Sequence, residues 1–133
     1  MNCLLDTHTF IWTISNPDKL SKLAKDIIVN RDNDIFVSVI SFWEIALKTS
    51  IKKFIFEGIN VKEFPENAKE MNFHFLDLTS RECSTITDLP LMDNHKDPFD
   101  RMIIWQSITQ NMKLISNDSF FMQYRKFELQ LVW

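Results

Sequence analysis

The chain has 133 residues, of which 45% are hydrophobic, and its formal net charge is −3. This length and apolar content suffice for one globular domain with a proper core but not for two, so we expect a single domain over residues 1–133. The 15 lysines and arginines are scattered along a net-negative chain, which argues against tight nonspecific nucleic-acid binding through bulk charge, although such a substrate could still be held locally.

Cysteine and glycine usage narrow the class of protein further. Cys3 and Cys83 have neither metal-binding nor disulfide spacing, which indicates a reducing compartment. We see no signal peptide and no apolar run of membrane-spanning length, so we expect a cytoplasmic protein that does not bind membranes. The single glycine, Gly58, excludes a Rossmann fingerprint and a P-loop. Any phosphate chemistry must therefore use side chains and a metal ion.

Strand and helix patterns alternate in the first third of the chain. Residues 2–6 form a short apolar run that predicts a strand ending in Asp6. Apolar residues at helical spacing predict a helix over about residues 19–30. Residues 35–40 are β-branched, aromatic and nearly continuous in apolar character, which predicts a central strand covered on both faces.

A capping box follows that strand. The spacing of Ser41 and Glu44 matches the Ser-x-x-Glu pattern, in which the two side chains bond each other's backbone amides. It predicts a helix over residues 44–52, and it could by itself explain Glu44. Lys48, Lys52 and Lys53 lie on one side of this helix, which indicates a solvated face, with contact to an RNA backbone as the alternative.

The patterns weaken between residues 53 and 94. We interpret residues 65–71 as a helix, residues 73–78 as an edge strand and residues 80–89 as a short helix.

Clear signals return at Asp97, which suits a helix N-cap, and at Pro98, which suits the first helical position. Asp100 then falls in the first turn, near the positive end of the helix dipole. Residues 113–116 predict a buried strand. Asp118 follows that strand, where it could cap a further helix or position a metal ion or water.

The last run, residues 127–132, alternates in polarity and predicts a final strand at the sheet margin. Strands that alternate with helices favour an α/β fold, in which a mostly parallel central sheet carries helices on both faces through right-handed crossovers.

Four acids fall at or just past the carboxyl ends of predicted elements: Asp6, Glu44, Asp100 and Asp118. Ligands of open α/β sheets bind at such ends. Clustered carboxylates repel one another unless a cation compensates them, and oxygen-only ligands suit Mg²⁺ or Mn²⁺. Because such an ion can activate water for phosphodiester hydrolysis, the pattern predicts a metal-dependent nuclease with these four acids as catalytic and metal-binding residues.

Neighbours of these acids are candidates for contacting the substrate: Thr7, His95, Arg101, Ser116 and Asn117. Arg101 could equally pair with Asp97 or another neighbour on its helix. Asp97 itself fits a cap better than a metal ligand, and the sequence leaves that choice open.

Four blocks of the chain resemble, in order, the signatures of PIN-domain ribonucleases, and specifically of VapC-like toxins from bacterial toxin–antitoxin pairs. These blocks are Leu4–His8, Ser38–Ala46, His95–Arg101 and Leu114–Asp118. The resemblance is weak between Ile55 and Asn94. Ser116 stands where the family usually has Thr, which keeps the hydroxyl.

The resemblance implies a three-layer α/β/α sandwich that cleaves RNA with Mg²⁺ or Mn²⁺. It also implies a homodimer and inhibition by a VapB-like antitoxin that inserts a segment across the active site. Asp6, Glu44 and Asp100 match the family's acidic triad, and Asp118 matches its more variable fourth position. Asp97 belongs to the His-x-Asp-Pro-Phe-Asp-Arg signature.

Other functions stay open at this point. A solitary PIN-type RNA-processing nuclease would share the same acids, and a noncatalytic RNA-binding or partner-binding module would use them only as helix caps. A phosphoacceptor signalling domain also gathers acids around Mg²⁺, but it would have adjacent acids after the first strand and a lysine after the last, and neither is evident.

Overall fold

Five short strands form one sheet in the computed structural model, which describes residues 1–133. The strands are β1 Asn2–Leu5, β2 Asp34–Ser38, β3 His74–Leu76, β4 Lys113–Ile115 and β5 Gln130–Val132. Their order is β3-β2-β1-β4-β5, and every neighbouring pair is parallel. The first strand of the chain is therefore the centre of the sheet, and all five carboxyl ends lie at one edge.

Six α-helices surround the sheet: α1 Thr7–Ser15, α2 Lys22–Val29, α3 Val39–Ser50, α4 Phe64–Glu70, α5 Ser80–Thr85 and α6 Pro98–Thr109. The 3₁₀ segments are Pro17–Lys19, Val61–Glu63, Ile86–Asp88 and Ser119–Phe127. None of these helices combines the length and the apolar character that crossing a bilayer requires.

The central strand divides the core into two halves. Cys3 and Leu5 point into one hydrophobic cluster and Leu4 into another, and all three are fully buried. Successive strand side chains point to opposite faces, so a strand buried on both faces is apolar throughout. The sheet is therefore covered on both sides, which confirms the predicted three-layer α/β/α architecture.

Different helices cover the two faces. The first face packs against α1, α2, α3 and α4 through Phe10, Ala24, Ile45 and Phe64. The second face packs against α6 and the last 3₁₀ segment through Ile103, Ile104, Phe121 and Tyr124.

The start of α3 differs from the sequence prediction. Ser38 is the N-cap, with its Oγ accepting from the Ile40 amide at 3.1 Å, so the strand ends there and the helix begins at Val39. The prediction of a capping box at Ser41 and Glu44 was wrong. The cap overrides the strand propensity of the β-branched pair Val39-Ile40, because a capped helix satisfies backbone donors that an extended chain would leave unpaired.

The C-terminal strand lies at the sheet margin as predicted, but it is shorter than residues 127–132. The preceding 3₁₀ segment continues to Phe127, and Glu128 closes it in the left-handed conformation with φ 72°. Only residues 130–132 pair with β4. At the other margin, β3 occupies the predicted edge position within residues 73–78.

Candidate metal centre and active site

Three carboxylates converge where α3 passes the N-terminus of α6. Glu44, Asp97 and Asp100 each offer an oxygen, and these three oxygens lie within 4.8 Å of one another. Glu44 projects from the second turn of α3, whereas Asp97 and Asp100 begin α6. Glu44 and Asp100, which the sequence predicted as metal ligands, thus meet Asp97, whose role the sequence left open.

Glu44 is the most buried member of this cluster, with 1% of its surface exposed. Its Oε2 accepts a hydrogen bond from the Lys48 ammonium group, whereas its Oε1 is buried without a hydrogen-bond partner. An unpaired buried carboxylate oxygen is energetically costly. No helix cap requires Glu44, because Ser38 performs that function. The arrangement fits a residue that holds a cation.

Lys48 lies inside the site rather than on the solvated face predicted from the sequence. Its side chain is 18% exposed, its Nζ is 3.6 Å from Asp97 Oδ2, and it lies over the rings of Phe54 and Phe99. Burial lowers the pKa of Lys48, but the hydrogen bond and negative charge of Glu44 outweigh it and raise the pKa. The i, i+4 spacing of Glu44 and Lys48 is the signal that could have located this pair.

Asp97 caps α6 and also belongs to the carboxylate cluster, so its position is compatible with both roles that the sequence left open. Its Oδ1 caps α6 by accepting from the amides of Phe99 and Asp100 at 2.9 and 3.0 Å. Its Oδ2 faces Lys48, and the residue is one of the three clustered carboxylates. Capping with one oxygen leaves the other available to a cation.

Asp100 feels the charge of every other acid in the region. Burial and, after it, the negative charges of Asp97, Glu44, Asp118 and Asp6 together raise its pKa to about 8. Desolvation and like charges both disfavour the ionised form, and a divalent cation would reverse both effects. The five carboxylates therefore form one electrostatic unit.

Asp6 and Asp118 are joined through Ser116 beside the three-carboxylate cluster. Asp6 Oδ1 caps α1 by accepting from the Thr9 amide at 2.7 Å, and its Oδ2 accepts from the Ser116 hydroxyl. Ser116 Oγ in turn accepts from the Asp118 amide at 3.1 Å. Burial raises the pKa of Asp6, against the effect of these hydrogen bonds.

The space next to Asp6 and Asp118 is a small pocket of about 150 Å³, which His8, Trp12 and Asn117 also line. Asp118 Oδ1 accepts from the Phe120 amide at 2.9 Å and so caps the last 3₁₀ segment, which is one of the two roles that the sequence left open for it. Both acids border this pocket, but neither is among the three carboxylates that lie within 4.8 Å of one another.

The predicted substrate-contacting residues divide into exposed and buried positions. Asn117 is exposed and lines the pocket described above. Thr7 is buried, and its hydroxyl lies 3.0 Å from that of Ser41, which joins α1 to α3. Ser116 is buried between Asp6 and Asp118.

His95 and Arg101 are buried as well, with 6% and 7% exposure. Arg101 donates to the carbonyl oxygens of Leu89 and Pro90 at 2.9 and 3.0 Å, and to the Tyr124 hydroxyl at 3.2 Å. His95 bonds Tyr124 and Asp100 instead of facing solvent. This geometry favours structural roles over the phosphate contacts expected from the sequence, and nothing in the sequence pointed to Tyr124.

The fold and the site define an α/β protein with an acidic centre at the carboxyl edge of a parallel sheet. Residues 3–126 match the family model of the PIN domain, so the chain belongs to the PIN-domain family, whose members are generally nucleases. This confirms the resemblance seen in the sequence. No curated protein matches the chain by sequence.

Solved structures of toxin–antitoxin proteins share the fold. The chain is similar to VapBC2 from Rickettsia felis, solved with a promoter DNA fragment, at 17% identity and a TM-score of 0.64, over 99% of this chain and 98% of that one. It is also similar to VapBC-1 from nontypeable Haemophilus influenzae, at 16% identity and a TM-score of 0.64, over 99% of this chain and 97% of that one. The similarity to VapBC-5 from Mycobacterium tuberculosis is 12% in identity, with a TM-score of 0.60, over 98% of this chain and 95% of that one. At such identities the likeness establishes the fold alone.

Proposed function

We propose that this protein is a Mg²⁺- or Mn²⁺-dependent endoribonuclease and the toxin of a VapBC-type toxin–antitoxin pair. The main observation in support of nuclease activity is that Glu44 Oε1 is a buried carboxylate oxygen without a hydrogen-bond partner. Glu44 belongs to the cluster that also contains Asp97 and Asp100. The similarity to VapBC structures supports the toxin assignment.

The donor set fits a hard divalent cation. All candidate ligands are carboxylate oxygens, and Cys3 and Cys83, the only cysteines, take no part in the cluster. Five carboxylates in one electrostatic unit, with Lys48 as their closest cation, retain an excess of negative charge. When bound, the ion supplies an activated water and neutralises charge on the scissile phosphate.

The residues of the chain perform separate tasks around this centre. Glu44, Asp97 and Asp100 would hold the ion, and Lys48 fixes Glu44 through Oε2 so that Oε1 stays available. Asp6 and Asp118 border the adjacent pocket, where their carboxylates would orient the attacking water. Catalysis by such a site is mainly positioning and electrostatics, because the protein forms no covalent bond with the substrate.

An RNA cleavage assay with single-stranded oligonucleotides tests the nuclease. We expect Glu44→Gln and Asp100→Asn to lose Mg²⁺-dependent cutting by at least about a hundredfold, because each removes a charge that holds the ion. Asp26→Asn changes an exposed acid on α2 and serves as the matched control. Cleavage that is unaffected by EDTA or by the two site variants would refute the proposal, and DNA oligonucleotides of the same sequence test the choice of RNA.

An antitoxin partner is supported by an exposed apolar stripe on α3. Trp43, Leu47 and Ile51 follow one another at i, i+4 and i+8 along α3 and its C-cap and are 60, 41 and 55% exposed. Such a stripe beside an acidic site suits an amphipathic helix that places a positively charged side chain against the carboxylates.

The homodimer and the cytoplasmic location expected from the sequence stay predictions. Size-exclusion chromatography with light scattering tests the homodimer.

A further inference from the structure

Asp100 is linked to three buried side chains through a continuous series of hydrogen bonds. His95 Nε2 lies 3.1 Å from Asp100 Oδ2, and His95 Nδ1 lies 2.9 Å from the Tyr124 hydroxyl. That hydroxyl also accepts from Arg101 Nη1 at 3.2 Å. The series thus joins the first turn of α6 to the 3₁₀ segment that follows Asp118.

We propose that Tyr124 and Arg101 act through His95 as positioning residues for Asp100, so that His95 holds Oδ2 and leaves Oδ1 to the cation. This inference rests on the proposed function, since it assigns the residues that orient one ligand of the same metal centre. Hydrogen-bonded partners behind ligating carboxylates contribute substantially to metal affinity.

The direction of each hydrogen bond follows from donor and acceptor inventories. Arginine only donates, so the Tyr124 oxygen accepts from Arg101 and can turn its own hydrogen toward His95 Nδ1. A carboxylate that holds a cation is ionised and only accepts, so His95 Nε2 must be the donor to Asp100. Both requirements are met by one neutral tautomer of His95, which carries its hydrogen on Nε2.

The members of the series are held in place by their surroundings. Tyr124 is fully buried, and Arg101 is anchored to the backbone oxygens of Leu89 and Pro90. The ring of Phe120 stacks on His95 with an interplanar angle of 8°. A histidine fixed on its ring face and at both nitrogens can orient a carboxylate without the entropy loss of a free side chain.

Two substitutions of His95 separate its two hydrogen bonds. His95→Gln places an amide donor near the position of Nε2, and His95→Asn keeps only an acceptor near Nδ1 for Tyr124. By calorimetric titration with Mg²⁺ and Mn²⁺, we expect His95→Asn to bind about tenfold more weakly than wild type and His95→Gln to stay within about threefold. His74→Gln is the control, because His74 pairs with Asp34 at the amino ends of β3 and β2, whereas the acidic centre lies at the carboxyl ends of the strands.

A spectroscopic readout tests the tautomer directly. The chain has only three histidines, so a two-bond ¹H–¹⁵N correlation spectrum of the Mg²⁺-loaded protein resolves them. We expect His95 to be protonated at Nε2 alone, and Tyr124→Phe to give a mixture of tautomers with weaker ion binding. A wild-type His95 protonated at Nδ1, or a tautomer and affinity unaltered in Tyr124→Phe, would overturn the proposal.

Failure of the proposed function gives a different result. If wild type shows no saturable binding of Mg²⁺ or Mn²⁺, the metal-dependent nuclease and the positioning role are both refuted. If wild type binds the ion and His95→Asn, His95→Gln and Tyr124→Phe all match it, only the positioning role is refuted. Circular dichroism of each variant excludes unfolding as the cause of a lost affinity.

Discussion

Lys48 donates a hydrogen bond to Glu44 Oε2, while Glu44 Oε1 on the same carboxylate is buried and unpaired. Lys48 therefore neutralises part of the negative charge of the cluster but leaves Glu44 Oε1 without a partner. Lys48 and a bound divalent cation would act on the same negative charges.

We predict that Lys48→Met makes the metal-free protein less stable by about 1–3 kcal/mol, because the buried Glu44 loses its partner. The increase in Tm on adding Mg²⁺ should be larger in this variant than in wild type, because the ion then compensates more uncancelled charge. Lys22→Met is the control, since Lys22 and Asp26 also form an i, i+4 ion pair, in the reverse order and in an exposed position. Equal Mg²⁺ shifts in Lys48→Met and wild type, measured by thermal denaturation, would contradict this prediction.

The raised pKa of Asp100 predicts how metal-free stability depends on pH. Asp100 titrates near pH 8 in the folded protein but near 3.8 in the unfolded chain, so folding takes up a proton between these values. The free energy of unfolding should therefore fall as pH rises from about 4 to about 8 in EDTA. The raised pKa of Asp6 acts in the same direction. Urea denaturation at several pH values measures this slope, and Asp100→Asn should reduce it.

Metal affinity should show the opposite trend with pH. A protonated Asp100 must lose its proton before it can bind a cation, so Mg²⁺ affinity should increase by up to tenfold per pH unit below pH 8. Calorimetry in buffers of different ionisation enthalpy will report the released proton. An affinity that is constant between pH 6 and pH 8 would be inconsistent with the shifted pKa of Asp100.

Ser116 should contribute to stability through its hydroxyl rather than its size. Ser116→Ala removes the donor to Asp6 and the acceptor for the Asp118 amide, so we expect a loss of about 1–3 kcal/mol in the free energy of unfolding. Ser116→Thr keeps the hydroxyl and should stay close to wild type. Denaturant melts of the two variants compare them directly, and equal losses would show that packing, not hydrogen bonding, dominates at this position.

The exposed stripe on α3 should be necessary for partner binding. Leu47→Glu and Ile51→Glu place charges on a surface that we propose an antitoxin helix covers, so co-purification with the antitoxin should fall by tenfold or more. Val29→Glu is the control, because Val29 is an equally apolar residue on α2 with 74% exposure. Antitoxin binding that survives both stripe substitutions would place the interface elsewhere.

Much of the fold could be predicted from local patterns. The apolar run before Asp6, the Asp97-Pro98 helix start and the strand before Ser116 each carry their own signal, and each occurs where predicted. The start of α3 could not be read this way, because Val39 and Ile40 resemble the end of a strand. In the structure the Ile40 amide donates to Ser38 Oγ, so Ser38 caps a helix where the pattern predicted two more strand residues.

The site was predictable only in part, because the sequence places residues along the chain but does not show in which direction their side chains point. Parallel strands bring their carboxyl ends together, so acids that follow strands can be assigned to one edge from the sequence. Whether two carboxylates then meet depends on side-chain direction. Asp97 joins Glu44 and Asp100 within 4.8 Å, whereas Asp6 bonds Thr9 and Ser116 in the neighbouring pocket.

The sequence by itself determined the layered α/β fold, the acidic edge and the family, because these depend on periodicity, caps and short motifs within a few residues of one another. Only the tertiary structure decided which acids form the cluster, and which groups hold them. His95 meets Tyr124 across 29 positions of sequence, and Ser116 meets Asp6 across 110. Such contacts depend on how helices pack over the two faces of the sheet, and no local pattern encodes that packing.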